Sequence, residues 1–354
     1  MTTRYFKADD LRSVVESVCA AAGSERAEAT LIARRLVDAN LAGHDSHGVI
    51  RLPRYISNLA KGGVVANRHA TVALDTGALI VVDGNNGFGQ VVGGEAMAIG
   101  IAAAKRNGAC VLALRHSAHL GRIADWAEMA ADAGLASLHF VNVTGIGANR
   151  VAPFGGTDGR LATNPIAAAI PRPGGSHIVL DMATSVVAEG KIAVAANRGV
   201  ETPDGWLIDR HGRPTRNPRD LYEEPGGAIM PFGAYKGYGL ALFVDLIAGA
   251  LIGAGGITHR HEVPSRIENN MVAMIIDPQA IGDRSAFDAE VEAIVAYVTA
   301  SKPTGDGALL VPGDPERRTR AERLANGIPI EAETWRQIVE AGKSVGVIVE
   351  GGAS

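Results

Sequence analysis

Thr71 to Arg115 reads TVALDTGALIVVDGNNGFGQVVGGEAMAIGIAAAKRNGACVLALR, and its changing period decides the fold. Two short apolar runs, TVAL and LIVVDG, are parted by the turn residues Asp75-Thr76-Gly77, a hairpin signature. From Gln90 to Asn107 the spacing becomes helical, and a third apolar run, CVLALR, follows. A hairpin linked through a helix to another strand predicts a mixed sheet with helices packed on it. The alternation continues downstream with strands SLHFVNV, IAAAIP and HIVLDM, and a second hairpin-like pair spans Pro171–Ser176. Helical stretches over Ile123–Ala133, Val186–Asn197 and Gly239–Leu251 place helices on both faces of that sheet.

The two ends of the chain read differently. Leu11, Val14, Val15 and Val18, then Leu31, Ile32, Leu36 and Val37, recur at three and four, which predicts two amphipathic helices with Gly23-Ser24 as stop and N-cap. Pro53 opens a third helix that runs to Lys61-Gly62-Gly63. Charged helical patterning returns from about Pro315 with PERRTRAERLAN and EAETWRQIVEAGK. No fixed-period repeat or linker-like tract interrupts the 354 residues, so any domains are interleaved.

Composition excludes several classes of partner. With 34 basic and 38 acidic residues the net charge is −4, which offers no basic surface for nucleic acid. The two cysteines, Cys19 and Cys110, form neither a disulfide framework nor a C-x-x-C motif, so a reducing, cytoplasmic setting is expected. The opening MTTRYFKADDLRSVV lacks the apolar core of a signal peptide. The one membrane-like run, Gly239–Ile257, carries Asp245 near its middle and reads as a buried core helix, so no membrane partner is expected.

Chemistry concentrates in two histidine pairs. His44-Asp45-Ser46-His47 lies in AGHDSHGVIRLPRYI, and His116-Ser117-Ala118-His119 follows an apolar strand in LRHSAHLGR. His47 can exchange a proton near neutral pH, Ser46 can hydrogen-bond a substrate or relay, and Arg51 offers a planar fork that fits a carboxylate. Tyr55 stands four residues beyond Arg51, so a helix reaching back to Arg51 would put both on one face. The two H-x-x-H pairs also admit a metal-dependent hydrolase, although H-E-x-x-H is absent. Asp181, ending the strand HIVLD, could orient a histidine or cap the following helix together with Thr184 or Ser185. Thr144-Gly145-Ile146-Gly147-Ala148-Asn149-Arg150 supplies G-x-G without a third glycine, and Pro153 blocks a helix start, so no Rossmann fingerprint is present. Tyr235-Lys236-Gly237-Tyr238-Gly239 opens a predicted helix with a lysine that could meet a phosphate. Without redox cysteines or a metal motif, a redox step needs an external hydride carrier.

The segments GHDSHGVIRLPRYI, HSAHLGRIADW, APFGGTDGRLATNPIA, LDMATS, YKGYGL and PGDPE occur in this order over nearly the whole chain. Together they resemble the type-2 malate/L-lactate dehydrogenase family, which includes ureidoglycolate, sulfolactate and diketogulonate oxidoreductases and Δ1-piperideine-2-carboxylate reductase. The resemblance implies NAD or NADP bound on a non-Rossmann fold, a three-layer mixed α/β sheet with helices on both faces, and a small helical domain built from both chain ends. It divides the chain into an N-terminal helical segment over 1–68, a cofactor and substrate core over 69–314 and a C-terminal helical segment over 315–354 that packs with the first. It also implies a homodimer and a small carboxylate substrate, either a 2-hydroxy or 2-oxo acid or a cyclic imino acid. By the same resemblance His47 is a proton donor with Ser46 and Asp181 as relay partners, and His119 is an acid/base. Arg51 is the carboxylate clamp, with Tyr55 beside it. Thr144, the segment Asp181, Met182, Ala183, Thr184 and Ser185, Lys236, and the turn Gly313, Asp314 and Glu316 correspond to cofactor contacts. The family more often has Pro-Gly-Glu at that turn, where this chain has Asp314.

Overall fold

The computed structural model describes residues 3–145, 148–261, 263, 266–305 and 307–349; Ile146 and Gly147 of the G-x-G run lie outside the described residues. The chain opens with β1 (Thr3–Phe6), α1 (Ala8–Ala21), α2 (Arg26–Leu41) and α3 (Leu52–Ala60). Next come β2 (Thr71–Asp75), β3 (Leu79–Asp83), α4 (Gly89–Asn107), β4 (Ala109–Ser117), α5 (Ala124–Asp132), β5 (Ala136–Thr144), β6 (Ile166–Ile170) and β7 (Ile178–Met182). After α6 (Glu189–Arg198) a small sheet forms from β8 (Leu207–Ile208), β9 (Pro214–Thr215) and β10 (Ala228–Ile229), followed by α7 (Tyr235–Asp245). The last elements are β11 (Glu268–Ile276), α8 (Pro278–Ile281), α9 (Arg284–Thr299), α10 (Asp314–Asn326), β12 (Ile328–Glu331) and α11 (Ala332–Ser344).

The main sheet has the order β2-β3-β4-β11-β5-β6-β7 and is mixed, as the alternating runs predict. Only β3 and β4 run parallel, joined through α4; every other pairing is antiparallel. Along β4, Cys110, Leu112 and Leu114 point to one face and join Met97 of α4 and Trp126 of α5 in the core. Strand alternation turns Phe140 of β5 to the other face, where its ring meets Phe243 of α7 at 6.0 Å. The central strand β11 has no counterpart in the sequence reading. Its run ENNMVAMII begins with asparagines that resemble a loop, and its partners in β4 and β5 lie far upstream.

Three local differences have physical causes. Ser24 does not cap α2; its hydroxyl donates to the buried Glu28 carboxylate at 2.7 Å, and the N-cap position falls to Glu25. The run Gly239–Ile257, expected as a buried core helix, is helical only through α7 and a π turn over Leu246–Ala250. One side packs on the sheet, but Leu242, Phe243, Leu246 and Leu251 are exposed, because the sheet covers only one face of the helix. Asp245 accepts from Asn142 Nδ2 at 3.2 Å and from the Ile257 amide at 3.1 Å. Among the described residues no helix is long and apolar enough to cross a membrane.

At the chain ends, β1 pairs with β12 and Trp335 of α11 meets the Phe6 ring at 4.3 Å. Leu11, Ile32, Leu36, Leu52, Ile330 and Ile338 share one apolar cluster there.

His139, in β5, is fully buried, and burial pushes its pKa from 6.5 down to about 3. The folded state therefore holds this ring neutral at pH values where the unfolded chain protonates it. Stability is lost as pH falls from about 6.5 toward 3, at about 1.4 kcal/mol per pH unit. Denaturant unfolding of His139→Leu between pH 7 and 4 is expected to show an acid limb shallower by about that slope. An unchanged limb would assign the acid sensitivity to other groups.

Candidate active site

Two single 3-10 turns, Asp45–His47 and Val49–Arg51, carry the chain from α2 into α3. Asn40, at the end of α2, holds them: its Oδ1 accepts from the Val49 amide at 2.8 Å and its Nδ2 donates to Asp45 at 2.6 Å. A Cβ on Gly48 would lie 2.2 Å from Asn40 Oδ1, so only glycine fits between them. Arg323 of α10 forks onto both Asp45 oxygens at 2.6 and 2.9 Å. Asp45 thus anchors the turn, which leaves Ser46 and His47 as its chemical face.

Ser46 Oγ lies 2.9 Å from His47 Nδ1. The His47 ring stacks on His119, with centroids 5.6 Å apart and planes at 18°. Tyr55, on α3, places its hydroxyl 2.7 Å from His119 Nδ1 and 2.8 Å from the donating Nε2 of Gln90. Arg51 takes helical dihedrals at the N-cap of α3, and its Nε donates to the Ser46 carbonyl. Among the described residues, no carboxylate forms an ion pair with its guanidinium. Burial, and then the Arg51 cation, push the His47 pKa down to about 3. The same two causes, in the same order, hold His119 well below its ordinary value. Both imidazoles are therefore neutral at physiological pH.

The segment carrying His119 is pinned by asparagines of β11 that sequence reasoning missed. His116 has φ +54°, and its amide donates to Asn270 Oδ1 at 2.9 Å while its Nδ1 lies 2.9 Å from Asp83. Asn269 Oδ1 accepts from the Leu120 amide at 2.9 Å. Single asparagines and glutamines carry no pattern in a sequence, so Asn40, Gln90, Asn269 and Asn270 had no signal. The two H-x-x-H pairs divide. His44 faces Glu316 at 3.3 Å and His116 faces Asp83, while His47 and His119 meet each other. Among the described residues no group of three or more His, Cys, Asp or Glu converges in metal-binding geometry, and nothing supports the hydrolase reading.

A cleft of about 970 Å³ opens beside this cluster, and Ser46, His47, Asp181, Met182, Gly190 and Glu316 are on its wall. Ala183 and Ser185 also line it, whereas Arg51, His119 beside His47, and Tyr55 beside His119 do not. A Cβ on Gly190 would sit 2.7 Å from Ser46 Cβ, so glycine lets α6 close against the turn that carries Ser46 and His47. Asp181 makes no hydrogen bond to His47. Its Oδ2 accepts from the Ala124 amide at 3.0 Å, capping α5 rather than the helix that follows it in sequence. Burial raises the Asp181 pKa.

The other residues expected at the cofactor have their side chains engaged or lie off this wall. Thr184 donates to the carbonyls of Thr163 and Asn164 at 2.9 and 3.1 Å, and Ser185 to that of Val187 at 2.8 Å. Thr144 Oγ1 accepts from Asn270 at 2.7 Å. Asp314 accepts from the Val311 amide and Arg317 at 3.0 and 2.6 Å, shaping the turn at Gly313, where φ is +98°. Lys236 is exposed at the first turn of α7.

Residues 6–339 match the family model described as malate/L-lactate dehydrogenase. The chain is 42% identical over 345 residues to hydroxycarboxylate dehydrogenase B of Escherichia coli K12, covering 97% of this chain and 94% of that one. A solved E. coli structure described as a malate/lactate dehydrogenase superposes with a TM-score of 0.92 at 42% identity, covering 97% and 96% of the two chains. Δ1-piperideine-2-carboxylate reductase from Pseudomonas syringae pvar. tomato gives a TM-score of 0.84 at 31% identity, covering 96% and 100%.

Proposed function

This chain belongs to the malate/L-lactate dehydrogenase family and is an oxidoreductase, and from that premise we propose that it moves a hydride between NAD or NADP and C2 of a small 2-hydroxy or 2-oxo acid. The observation that carries the reading is Arg51, a guanidinium without a carboxylate partner among the described residues, set beside two neutral imidazoles. A substrate carboxylate supplies the missing charge in planar, two-pronged geometry. Its arrival cancels the cation that depresses His47 and raises the affinity of that ring for a proton. In the reducing direction His47 then delivers a proton to the oxygen developing on C2, and in the oxidising direction neutral His47 accepts it. Ser46 holds Nδ1 in register throughout.

The nicotinamide supplies or accepts the hydride when bound. The cleft suits such a cofactor: Ala188, Gly190 and Lys191 line it at the start of α6, a ten-residue helix whose N-cap Ala188 makes no side-chain cap. The N-terminal end of a helix dipole and a lysine there favour the negative charge of a pyrophosphate. Met182 and Ala183 would add main-chain and apolar contact.

The division into segments 1–68, 69–314 and 315–354 belongs to the same proposal, supported by the β1–β12 pairing. So does a cytoplasmic site of action, supported by two unpaired cysteines. A homodimer is supported by an apolar row, Leu79, Val111 and Met274, aligned across three strands on the face opposite α4 and α5. Nearby in chain order, α9 has no buried side chain, and its Tyr297 is 84% exposed. Faces this apolar are normally covered. Sedimentation should give twice 36.7 kDa.

The decisive assay follows nicotinamide absorbance with NADH and NADPH against pyruvate, oxaloacetate, sulfopyruvate, diketogulonate and Δ1-piperideine-2-carboxylate. The imine belongs in the panel because the reductase above shares this fold and Arg51 would hold its carboxylate equally. Oxidation with an oxo acid supports the reading, oxidation with the imine alone replaces it by imine reduction, and silence across the panel removes it.

A further inference from the structure

Gln90 sits in the first turn of α4 and is 2% exposed. Its Nε2 donates to the Tyr55 hydroxyl at 2.8 Å and reaches the main-chain carbonyl of His119 at 3.4 Å. We propose that Gln90 is a positioning residue which, through Tyr55, holds His119 in the neutral tautomer protonated on Nε2, so that His119 serves as a fixed hydrogen-bond donor while His47 moves the proton.

Counting protons leads to this tautomer. A phenol has one, and among the described residues an oxygen that accepts from Gln90 finds an acceptor for that proton only in His119 Nδ1, 2.7 Å away. Nδ1 must then be bare, and a neutral imidazole with a bare Nδ1 carries its proton on Nε2. No described residue pairs with that Nε2. Reversing the Gln90 amide would turn its oxygen toward the His119 carbonyl, setting two acceptors face to face. The backbone of His119 therefore selects the amide orientation that sets its own side chain. Gly89 makes the approach possible, since a Cβ there would fall 2.3 Å from the His119 carbonyl oxygen. The arrangement leaves Gln90 Oε1 buried without a partner among the described residues. An apolar side chain of the same length would avoid that cost, so the retained amide points to its donor.

His47 is built differently. Its Nδ1 faces the Ser46 hydroxyl, which can donate or accept, so both neutral tautomers are compatible with the site. One histidine is fixed and its stacked neighbour is free to exchange. The roles assigned to the two rings rest on the oxidoreductase reading, whereas the tautomer of His119 does not.

Gln90→Glu tests the idea. The ionised carboxylate of this variant accepts from the Tyr55 hydroxyl, whose oxygen then accepts from Nδ1–H, and the tautomer inverts. At neutral pH kcat is expected to fall about 10²-fold, the scale of losing one donor to a developing oxyanion, with KM little changed because Arg51 is untouched. On acidification the protonated carboxyl donates as the amide does, so kcat recovers as pH falls through a pKa that burial raises above the ordinary carboxyl range. Gln90→Met neither donates nor accepts and should lose less, with no acid recovery. Histidine 15N shifts in the substrate-free protein, with His119 assigned through His119→Gln, report the tautomer without any turnover. A wild-type Nδ1–H signal, an unchanged Nε2–H signal in Gln90→Glu, or full kcat with an inverted tautomer would overturn the proposal. Should Gln90→Glu not fold, Tyr55→Phe removes the intermediary: mixed tautomers support the proposal and an unchanged Nε2–H signal overturns it. If the tautomer behaves as expected but wild-type protein oxidises neither NADH nor NADPH across the panel, the activity reading fails independently.

Discussion

Replacing His47 with alanine is expected to lower kcat about 10²–10⁴-fold, the usual range for removing a positioned acid–base group. In the proposed reaction this cleft-lining ring carries the proton, and its neighbour His119 cannot take over if Tyr55 and Gln90 hold its proton on one nitrogen. The variant should fold, because His47 is half-buried, makes its one described side-chain bond to the adjacent Ser46, and leaves the Asn40 and Arg323 anchors of the turn intact. Steady-state rates in both directions, alongside circular dichroism, check this. Near-normal kcat in a folded His47→Ala protein would take His47 out of the chemistry. His119→Ala should also lose turnover on a comparable scale, since it would remove the hydrogen-bond donor proposed beside His47.

Arg51→Ala should reduce kcat/KM by roughly 30- to 1000-fold, or about 2–4 kcal/mol, because a substrate carboxylate would lose the forked cation proposed to hold it. Most of the loss should appear in KM. A second effect has the opposite character. After burial, Arg51 is the largest influence depressing both His47 and His119, so its removal should raise their pKa values. A base must be deprotonated to accept a proton, so the acid limb of the oxidation rate should move to higher pH. Arg51→Lys keeps the charge but loses the planar fork; it should restore the limb better than it restores KM. A variant with unchanged KM for every acid would separate Arg51 from carboxylate binding.

The parts of this protein that could be read from sequence are those whose partners are close in sequence. The period change at Thr71 exposes the sheet, and Ser46, His47, Arg51 and Tyr55 declare themselves because they fall within ten residues of one another. That His119 stacks on His47 depends on α3 packing near the end of β4, which no local pattern reports. Asp181 was legible as a strand-end carboxylate with two possible tasks. The helix it caps comes earlier in the chain, brought near by the order of strands rather than by sequence. Gln90, Asn269 and Asn270 were invisible for the same reason: each makes its decisive bond to a segment far away, and an isolated amide residue looks like surface.

The position of β11 at the centre of the sheet has a consequence for synthesis. β4 and β5 both pair with it, yet Thr144 ends β5 long before Glu268 begins β11. At typical translation rates that interval lasts on the order of ten seconds. During it the nascent chain carries two unpaired nine-residue strand edges, the structural hallmark of aggregation-prone intermediates. The long-range pairing that closes them also implies slow folding. Production of this protein should therefore depend on chaperone capacity and growth temperature more than its native stability would suggest, and truncation before Ile276 should leave a chain that cannot close its own central sheet.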